Sequence, residues 1–541
     1  MATRPARVAH GAVFTRPWVV EMMLDLAGYT ADRDLTAERV VEPSIGDGAF
    51  IGPIVRRLIA ARGSTAWEDL AECLRGWDLQ PDKVEVCQKL VGVMLADAGC
   101  PLPTAESLAS TWLREGDFLV DGPDDYGATL VVGNPPYIRI EDVPRDLQDA
   151  YRAACPTMVG RADIFVGFYE RALDMLAPEG RLVYICADRW MHNDYGKALR
   201  AKVVESFAVD TVLTMHDVDA FEASVSAYPA VVVLRNGTQG RVTTANTAGS
   251  FGERDAAEFV SWAQSRRRDW KTATWDGARL RSWFNTSAMW PTGSAETLAW
   301  LDHLRENFLP LELPDKKTML RIGVATGNDD VFIVGPDNTP LIEPGRLVPV
   351  ARSEDMASGE FAWTGWHLVD PWEQRGQLIN LAEYPRAAAY FERHKAALSR
   401  RHTAKKGKWW KTIDAVHHDR LKLPYLILED MKGRAHPVLV PPGYYPHHNL
   451  YAIYSTSWDL EVLGGILMSE VFERQVAAYC VKMRGGTLRF QAQYIRMCRF
   501  PVPQTVPANV AVDLAAAFRS RDRARATAAA LRAYGMERLP D

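Results

Sequence analysis

One four-residue stretch constrains most strongly what this chain can fold into. Asn134-Pro135-Pro136-Tyr137 follows directly on a run of apolar residues at 128–133. A short apolar run of this kind predicts a strand buried on both faces of a parallel sheet. Ligands of open α/β sheets bind outside the carboxyl ends of the strands. We therefore expect Asn134 and Tyr137 at a ligand-binding edge of such a sheet.

The same four residues are suited to activating a planar amino group. The nitrogen lone pair of such a group is delocalised, so it attacks poorly until two acceptors take its two hydrogens. The Asn134 side-chain oxygen is one acceptor, and the Pro135 carbonyl is a second, since proline fixes φ and carries no N–H. Tyr137 offers a face on which a ring can stack. The alternative interpretation is a Pro-Pro turn after a strand, with the asparagine as its cap.

A second strand, turn and helix precede this stretch. Residues 39–42 read as a strand, the turn after it contains Gly46 and Gly48, and a helix begins at Ile51. This order predicts a nucleotide-binding corner at which a ligand approaches the backbone closely. The turn carries Glu42 and Asp47 and no lysine. Its charge therefore favours an ammonium group, such as that of S-adenosylmethionine, over a pyrophosphate.

Three further residues stand at places where a cofactor would be bound. Asp78 ends the strand 74–78 and is placed to bind a ribose hydroxyl pair, although single aspartates at strand ends are often turn residues. Asp117 ends a third segment and could accept a hydrogen bond from an adenine amino group, with Phe118 packed on the ring. Phe221 begins a Ser-rich loop at the same edge, where the alternative is a core residue.

Length and composition limit the remaining choices. A chain of 541 residues predicts two or three domains, and a net charge of −5 restricts any nucleic-acid surface to a local patch. The seven cysteines form no CxxC pair, so neither a zinc site nor a disulfide framework is expected and no metal is assigned. The N-terminus lacks the apolar core of a signal peptide, and no apolar run of about 20 residues exists. A reduced cytoplasm is the predicted compartment, with no membrane contact.

The other elements predict where the domains divide. An amphipathic helix over 18–28 has Thr15 as its expected N-cap, and strands at 181–186, 209–214 and 228–234 complete a sheet. A linker is expected at 236–250, because glycine, threonine and asparagine are frequent there. Tryptophans then become frequent, which suggests a second domain. The predicted domains are residues 1–240, 241–505 and a helical tail, 506–541.

In this order the segments resemble the gamma class of DNA adenine-N6 methyltransferases, the TaqI-like enzymes. The match comprises residues 14–17, 42–48, Asp78, 117–118, 134–137, 163–168 and Phe221. Two departures are visible: Thr15-Arg16-Pro17 stands where the family usually has Thr-Pro, and the glycine turn 44–48 is a variant. Residues 321–334, 482–486 and 500–503 resemble parts of the DNA target-recognition domain of these enzymes.

The resemblance implies an α/β fold. A Rossmann-like class I methyltransferase domain with a mixed seven-stranded sheet is expected, followed by a mixed α+β target-recognition domain and a C-terminal helix. The implied S-adenosylmethionine site comprises Thr15, Glu42, Ser44, Gly46, Gly48, Asp78, Asp117, Phe118, Pro135 and Phe168. The implied catalytic residues are Asn134, Pro135, Pro136, Tyr137 and Phe221, with Tyr137 and Phe221 enclosing a flipped adenine.

The most basic stretch of the chain, 400–411, is the candidate for phosphate contacts with double-stranded DNA. Lysine and arginine would give affinity that is independent of sequence and sensitive to salt. The residues assigned to DNA are Arg400, Arg401, Lys405, Lys406, Lys408 and Trp409. A solvated loop is the alternative interpretation, with the tryptophans packed in the core.

The expected function is site-specific adenine-N6 methylation of duplex DNA bound between the two domains, in a restriction-modification or phage-defence context. A nucleoid-associated bacterial cytoplasmic enzyme follows, whose partners could include a separate restriction endonuclease or other defence subunits. Three alternatives stay open: a protein glutamine-N5 methyltransferase, an RNA amino-methyltransferase, and a non-catalytic DNA-binding defence component. About 300 residues beyond 240 argue against the first two, because neither needs so large a reader. The sequence does not predict the recognition site or the oligomeric state.

Overall fold

The computed structural model describes residues 14–123, 126–222, 228–267, 270–373, 376–406, 408–480 and 487–540, without the side chains of residues 295, 405 and 406. These residues form two compact units, an N-terminal unit up to residue 299 and a C-terminal unit over 300–540. Among the described helices, none is long and apolar enough to cross a membrane.

The N-terminal unit is built on one sheet of ten strands. They are β1 (Val40–Glu42), β2 (Leu74–Asp78), β3 (Leu113–Glu115), β4 (Ala128–Gly133), β5 (Leu176–Ala187), β6 (Ala208–Thr214), β7 (Pro229–Arg235), β8 (Val242–Thr247), β9 (Trp270–Lys271) and β10 (Trp275–Leu280). Their order in the sheet is β3-β2-β1-β4-β5-β7-β6-β8-β10-β9. The pairs from β3 to β5 are parallel, whereas β7 is antiparallel to both β5 and β6. The first seven strands thus form the predicted mixed sheet.

The sheet continues beyond the seven predicted strands, and this corrects the expected linker. β8 lies inside the segment 236–250 and pairs in parallel with β6, with Thr211 opposite Thr243. Threonine is β-branched and favours strands, and this preference outweighs the neighbouring glycines and asparagines. The compact units therefore divide at residue 299, whereas the sequence predicts a boundary at 240.

Helices cover both faces of this sheet. They are α1 (Pro17–Ala27), α2 (Ile51–Ala61), α3 (Pro81–Asp97), α4 (Leu102–Trp112), α5 (Phe118–Asp121), α6 (Arg145–Ala154), α7 (Phe165–Asp174), α8 (Arg189–His192), α9 (Lys197–Ser206) and α10 (Glu253–Gln264), and α11 (Ala295–Asn307) spans the unit boundary. One buried cluster contains Val40 and Val132 with residues of α1 and α2, and a second contains Val41 and Val131 with residues of α7. The alternation between clusters shows that β1 and β4 are buried on both faces, as expected for β4. Trp262 and Trp275, assigned from sequence to the second domain, lie in the first cluster.

The C-terminal unit has short strands in several small sheets. They are β11 (Leu309–Pro310), β12 (Thr318–Ile322), β13 (Ile333–Val334), β14 (Leu347–Ala351), β15 (His367–Val369), β16 (Tyr425–Glu429), β17 (Met431–Lys432), β18 (Val438–Val440), β19 (Tyr445–Pro446), β20 (Leu450–Ser455), β21 (Leu488–Arg489) and β22 (Arg499–Phe500). Two sheets have four strands, in the orders β12-β20-β16-β18 and β13-β15-β14-β19.

The helices of the C-terminal unit include the predicted tail. They are α12 (Asp329–Phe332), α13 (Pro385–Arg393), α14 (Lys395–Ser399), α15 (Leu460–Met468), α16 (Glu470–Tyr479), α17 (Ala492–Ile495), α18 (Ala508–Ser520) and α19 (Arg523–Ala533). The tail is two helices rather than one, because Arg521 adopts a left-handed φ of 58° and Asp522 then caps α19. α18 packs closely on α15, where a Cβ on Gly465 would lie 2.5 Å from the Leu514 carbonyl oxygen.

Candidate active site

A cavity of about 700 Å³ lies at the carboxyl ends of β1, β2 and β4. This is the edge at which the sequence predicts a ligand. The cavity brings together most of the predicted site residues, namely Thr15, Glu42, Ser44, Gly46, Asp78, Asp117, Phe118, Asn134, Pro135, Pro136, Tyr137 and Phe168. Its volume falls within the range of about 300–1,000 Å³ that is usual for small-molecule sites.

The Asn134 side chain is held by a residue from the start of the chain. Its Nδ2 donates to Thr15 Oγ1 at 3.1 Å, and its backbone carbonyl accepts from Ser44 Oγ at 3.3 Å. Thr15 is only 3% exposed. The expected role of Thr15 as a helix cap is wrong, since Arg16 occupies the N-cap position of α1 and makes no side-chain cap bond. The threonine hydroxyl instead orients the asparagine amide.

A short antiparallel pairing brings Thr15 to this position. Thr15 is bridged to Phe221, the Arg16 N–H donates to the Ala220 carbonyl at 3.0 Å, and the Glu222 N–H donates to the Phe14 carbonyl at 2.9 Å. The Arg16 guanidinium also pairs with Asp219. The segment that precedes the sheet in sequence and the loop between β6 and β7 thus meet beside Asn134.

Tyr137 and Phe221 do not form a parallel slot in this structure. Their ring centroids are 6.1 Å apart and the planes meet at 79°, edge to face. Phe221 is 5% exposed and belongs to the buried cluster around α1, which agrees with the alternative interpretation that it is a core residue. Tyr137 lines the cavity, and burial raises the pKa of its hydroxyl well above the usual value. A ring placed against Tyr137 would therefore meet Phe221 only if one of the two side chains moved.

Two carboxylates approach the cavity from adjacent strand ends. Glu42 is 1% exposed, and its Oε2 has no hydrogen-bond partner among the described residues. Burial, with the charge of Asp78 as a smaller cause, raises the pKa of Glu42 well above its usual value. Asp78 accepts from the Gly46 and Gln80 N–H groups, each at 2.9 Å. Glu42 is thus a buried acid with capacity for a further donor.

The two glycines of the turn have different surroundings. Gly46 and Gly48 both have positive φ, of 49° and 82°, which explains why the turn needs glycine. Gly46 lines the cavity and donates to Asp78, whereas a Cβ on Gly48 would lie 3.1 Å from Cys87 Sγ on α3. Gly48 therefore serves the packing of the turn against α3, and the structure does not bring it to the cavity wall.

Asp117 and two phenylalanines form another side of the cavity. Asp117 Oδ1 accepts from the Leu119 N–H at 3.0 Å and Oδ2 accepts from the Tyr151 hydroxyl at 2.6 Å. Burial raises the pKa of Asp117 above its usual value. Phe118 and Phe168 stack with centroids 5.5 Å apart and planes at 23°. The side chains of this wall combine an acceptor with flat apolar surface.

Two residues that contact the predicted site, Tyr151 and Lys83, were not identified from the sequence. Tyr151 lies on α6 and binds Asp117, but a single tyrosine on an amphipathic helix gives no sequence signal. Lys83 lies in the first turn of α3 and pairs with Asp47, so the acidic turn does receive a cation, from the helix that follows β2. The position of Lys83 five residues after Asp78 could have indicated it, because strand ends and the following helix starts share one edge of the sheet.

The basic stretch of the C-terminal unit divides into buried and exposed residues. Arg401 donates to the carbonyls of Leu398, Thr326, Trp409 and Lys411 at 2.7–3.1 Å, so its donors are used within the unit. This geometry argues against the predicted phosphate contact. Trp409 packs partly against the core, whereas Arg400 and Lys408 are exposed. The side chains of Lys405 and Lys406, and all of 482–486, lie outside the described residues.

Comparisons of the sequence with known proteins identify related methyltransferases. The sequence model of the Eco57I restriction-modification methylase matches residues 106–221. The chain is 38% identical to the Type II methyltransferase M.XhoI of Xanthomonas vasicola over 97% of both chains. It is 38% identical to the Type II methyltransferase M.PaeR7I of Pseudomonas aeruginosa, over 99% of this chain and 93% of that one. It is 34% identical to the Type II methyltransferase M.BstVI of Geobacillus stearothermophilus, over 94% and 92%.

A solved structure has the same fold. The Type IIL restriction-modification enzyme MmeI, determined in complex with DNA, superimposes with a TM-score of 0.54 at 11% identity, over 97% of this chain and 74% of that one. The predicted class I methyltransferase fold is therefore confirmed, by the mixed sheet and by this likeness. On the identity and coverage of its relatives, the chain belongs to the Type II methyltransferases of restriction-modification systems.

Proposed function

We propose that this chain methylates the exocyclic N6 amino group of adenine in duplex DNA, with S-adenosylmethionine as the methyl donor. The observation that carries the proposal is the position of Asn134-Pro135-Pro136-Tyr137 in a cavity that carboxylates from neighbouring strand ends also line. Full-length similarity to Type II methyltransferases supports DNA as the substrate. The adenine specificity rests on the resemblance to the TaqI-like enzymes and on the chemistry of these four residues.

Activation of the amino group is the task of Asn134 and Pro135. With Asn134 Nδ2 donating to Thr15 Oγ1 in this structure, Oδ1 is the acceptor end of the amide. The Pro135 carbonyl supplies the second acceptor. Together they would localise the lone pair on the nitrogen, and the proton leaves after transfer has made the nitrogen acidic. Positioning and fixed dipoles then provide most of the rate acceleration.

The cavity residues fit the proposed cofactor. A buried acid with an unsatisfied oxygen, Glu42, suits an ammonium group, because a nearby cation offsets the burial of its charge. Asp78 would hold the ribose hydroxyls and Asp117 the adenine amino group, with Phe118 and Phe168 against the ring. Thr15, Ser44 and Gly46 complete this set. When bound, S-adenosylmethionine supplies a sulfonium methyl group.

The target base would have to leave the DNA stack to reach Asn134. Extrusion costs a few kcal/mol, and stacking on one aromatic face returns about 1–3 kcal/mol. Of Tyr137 and Phe221, it is Tyr137 that lines the cavity, so we assign it the principal stacking contact. Phe221 is buried against Tyr137 and would contribute mainly by supporting that ring.

The C-terminal unit is the proposed target-recognition domain. Arg400 and Lys408 are the basic residues of the segment whose side chains are exposed in the described part, so we assign the phosphate contacts to them. Restriction-modification systems pair methylation with cleavage, so a separate restriction endonuclease is the proposed functional partner. A bacterial cytoplasmic enzyme associated with the nucleoid follows from this assignment.

Long-read kinetic sequencing tests the proposal directly. DNA from a methylation-free bacterial host that expresses the chain should carry N6-methyladenine at one recurring motif, and the Asn134→Ala variant should leave that motif unmodified. N4-methylcytosine at the motif would refute the adenine assignment. If wild-type protein that binds S-adenosylmethionine modifies no DNA motif but methylates RNA or a glutamine-containing peptide, the DNA assignment is wrong.

A further inference from the structure

We propose that Asp329, His447 and His448 of the C-terminal unit form a binding site for a divalent transition-metal ion. Asp329 begins α12, and the two histidines follow β19. One side-chain atom of each residue lies within 4.8 Å of the other two. The site is separate from the methylation cavity and is not part of the proposed function.

The distances among the three atoms match those of metal ligands. Asp329 Oδ2 is 3.0 Å from His447 Nε2 and 3.8 Å from His448 Nδ1, and the two histidine nitrogens are 3.1 Å apart. Ligands at about 2.0–2.2 Å from a tetrahedral zinc ion lie about 3.4 Å from one another. The observed triangle brackets that value. Two imidazoles and one carboxylate are a donor set that suits zinc and neighbouring transition metals.

Hydrogen bonds around His447 direct its Nε2 towards the other two side chains. The Asn449 amide donates through Nδ2 to Ser353 Oγ at 3.3 Å, so its Oδ1 is the atom 3.1 Å from His447 Nδ1. That oxygen can only accept, which places a hydrogen on Nδ1. Nε2 then directs its lone pair towards Asp329 Oδ2 and towards His448 Nδ1, which lies 3.1 Å away. A metal ion between the three side chains would be bound by Asp329 Oδ2, His447 Nε2 and His448 Nδ1 together.

Further contacts fix the ligands in the manner usual for metal sites. Thr326 Oγ1, from a 1% exposed residue, donates to the other oxygen of the Asp329 carboxylate. Such bonds from neighbouring groups orient the ligands of metal ions. The Asp329 and His448 side chains are 43% and 47% exposed, whereas that of His447 is 13% exposed. The site is therefore held from the protein side and open to ions from solvent, with room for a water as a further ligand.

The backbone brings the two loops together independently of any ion. Val324 forms a parallel bridge with His447, and its N–H donates to the Pro446 carbonyl at 2.9 Å. Gly323 allows this approach, since a Cβ there would lie 1.9 Å from the His447 carbonyl oxygen. A bound ion would therefore reinforce an existing contact between loop 323–329 and segment 446–449. We expect it to raise the melting temperature of the chain.

Calorimetric titration of the full, tag-free chain with Zn²⁺ tests the site. We expect one equivalent to bind to the wild type, and Asp329→Asn and His448→Ala each to weaken that binding by at least about tenfold. His303→Ala removes an exposed histidine of the same unit and should bind as the wild type does. Titration with Co²⁺ should add visible absorption bands that both ligand variants lose, and Mg²⁺ should not compete.

Two results would overturn the assignment. One is that the wild-type protein takes up no Zn²⁺ at a concentration of about 100 μM, which lies above the usual dissociation constants of such sites. The other is that the ligand variants bind Zn²⁺ as tightly as the wild type does. The second result would place the ion elsewhere, for example on one of the seven cysteines. Circular dichroism establishes that each variant is folded. Should Asp329→Asn fail to fold, His448→Ala decides alone, because that side chain is half exposed.

Discussion

The two units assemble their polar side chains by different routes. In the N-terminal unit, Glu42, Asp78 and Asn134 stand at or just beyond the ends of parallel strands that are neighbours in the sheet. In the C-terminal unit, Asp329 and His447 are 118 residues apart and meet through loops between small sheets. Parallel strands place their carboxyl ends together, so the position of a residue in its own strand predicts its neighbours. No such rule applies to the second arrangement.

The largest expected effect is that of Asn134→Ala in the N-terminal unit. Removal of one fixed polar group from an activated site reduces turnover by about 10²–10³-fold, and we expect at least that loss in methyl transfer. Affinity for S-adenosylmethionine, measured by calorimetry, should change less than about threefold, the equivalent of about 0.65 kcal/mol, since Asn134 is assigned to the target amino group and not to the cofactor. Asn134→Asp keeps an acceptor and should retain part of the activity. Equal losses of turnover and cofactor affinity would contradict the assigned role.

A smaller effect distinguishes the two aromatic residues of the site. Tyr137→Ala should reduce kcat/KM on duplex DNA by about 5- to 150-fold, the equivalent of 1–3 kcal/mol of stacking. Phe221→Ala should lower the melting temperature instead, because Phe221 is 5% exposed in a packed cluster. Steady-state kinetics and thermal melts of both variants provide the measurement. If Phe221→Ala lost as much kcat/KM as Tyr137→Ala at unchanged stability, both rings would have to contact the base.

Within the C-terminal unit, Arg401→Ala and the double variant Arg400→Ala/Lys408→Ala should have opposite consequences. Loss of the Arg401 guanidinium removes one donor from each of four backbone carbonyls, which costs about 1–3 kcal/mol and lowers the melting temperature by several degrees. The double variant should leave stability unchanged. It should reduce the slope of log K against log salt for DNA binding by about two. A reduced slope in Arg401→Ala would restore the phosphate contact to that residue.

The sequence predicts more of the N-terminal unit than of the C-terminal unit, for the same reason. Strands β2 and β4 coincide with the predicted ranges 74–78 and 128–133, because buried parallel strands are short apolar runs with clear ends. Thr15 was misread as a cap, since its contact with Asn134 depends on a bridge to Phe221 that no local pattern records. The sequence predicts a linker where β8 lies, because its threonines are polar. Their β-branched side chains nevertheless favour a strand.

In the C-terminal unit, local sequence patterns predict fewer of the observed contacts. The cluster of positive charge at 400–411 was visible, but composition cannot show that Arg401 is directed inward to four carbonyls whereas Arg400 is exposed. No metal ion is expected from the sequence, and Asp329, which meets the adjacent His447 and His448, is contributed by a distant loop. Side chains that meet through loop packing depend on tertiary contacts, and these are not periodic in sequence.

The smallest expected effect concerns stability, and Glu42 should show it. Burial raises the pKa of this carboxyl in the folded chain above the value near 4.5 that it has when unfolded. A raised folded pKa contributes stability below the unfolded pKa, and that contribution is lost as pH rises through the folded value. At pH 8 the carboxylate of Glu42 therefore opposes folding. Glu42→Gln should raise the melting temperature of the ligand-free chain by about 2 °C, the equivalent of about 1 kcal/mol.

The pH dependence separates this cause from a general packing effect. The gain from Glu42→Gln should be larger at pH 8 than at pH 5, where less of the wild-type side chain has to ionise. Glu106→Gln on the exposed face of α4 is the matched control and should change little at either pH. Differential scanning fluorimetry at both pH values provides the measurement. An equal gain at both pH values would indicate a packing effect with no contribution from a raised pKa. A loss at pH 8 would mean that Glu42 is charged and paired in the folded chain, and the cavity would then not need a cationic ligand to hold it.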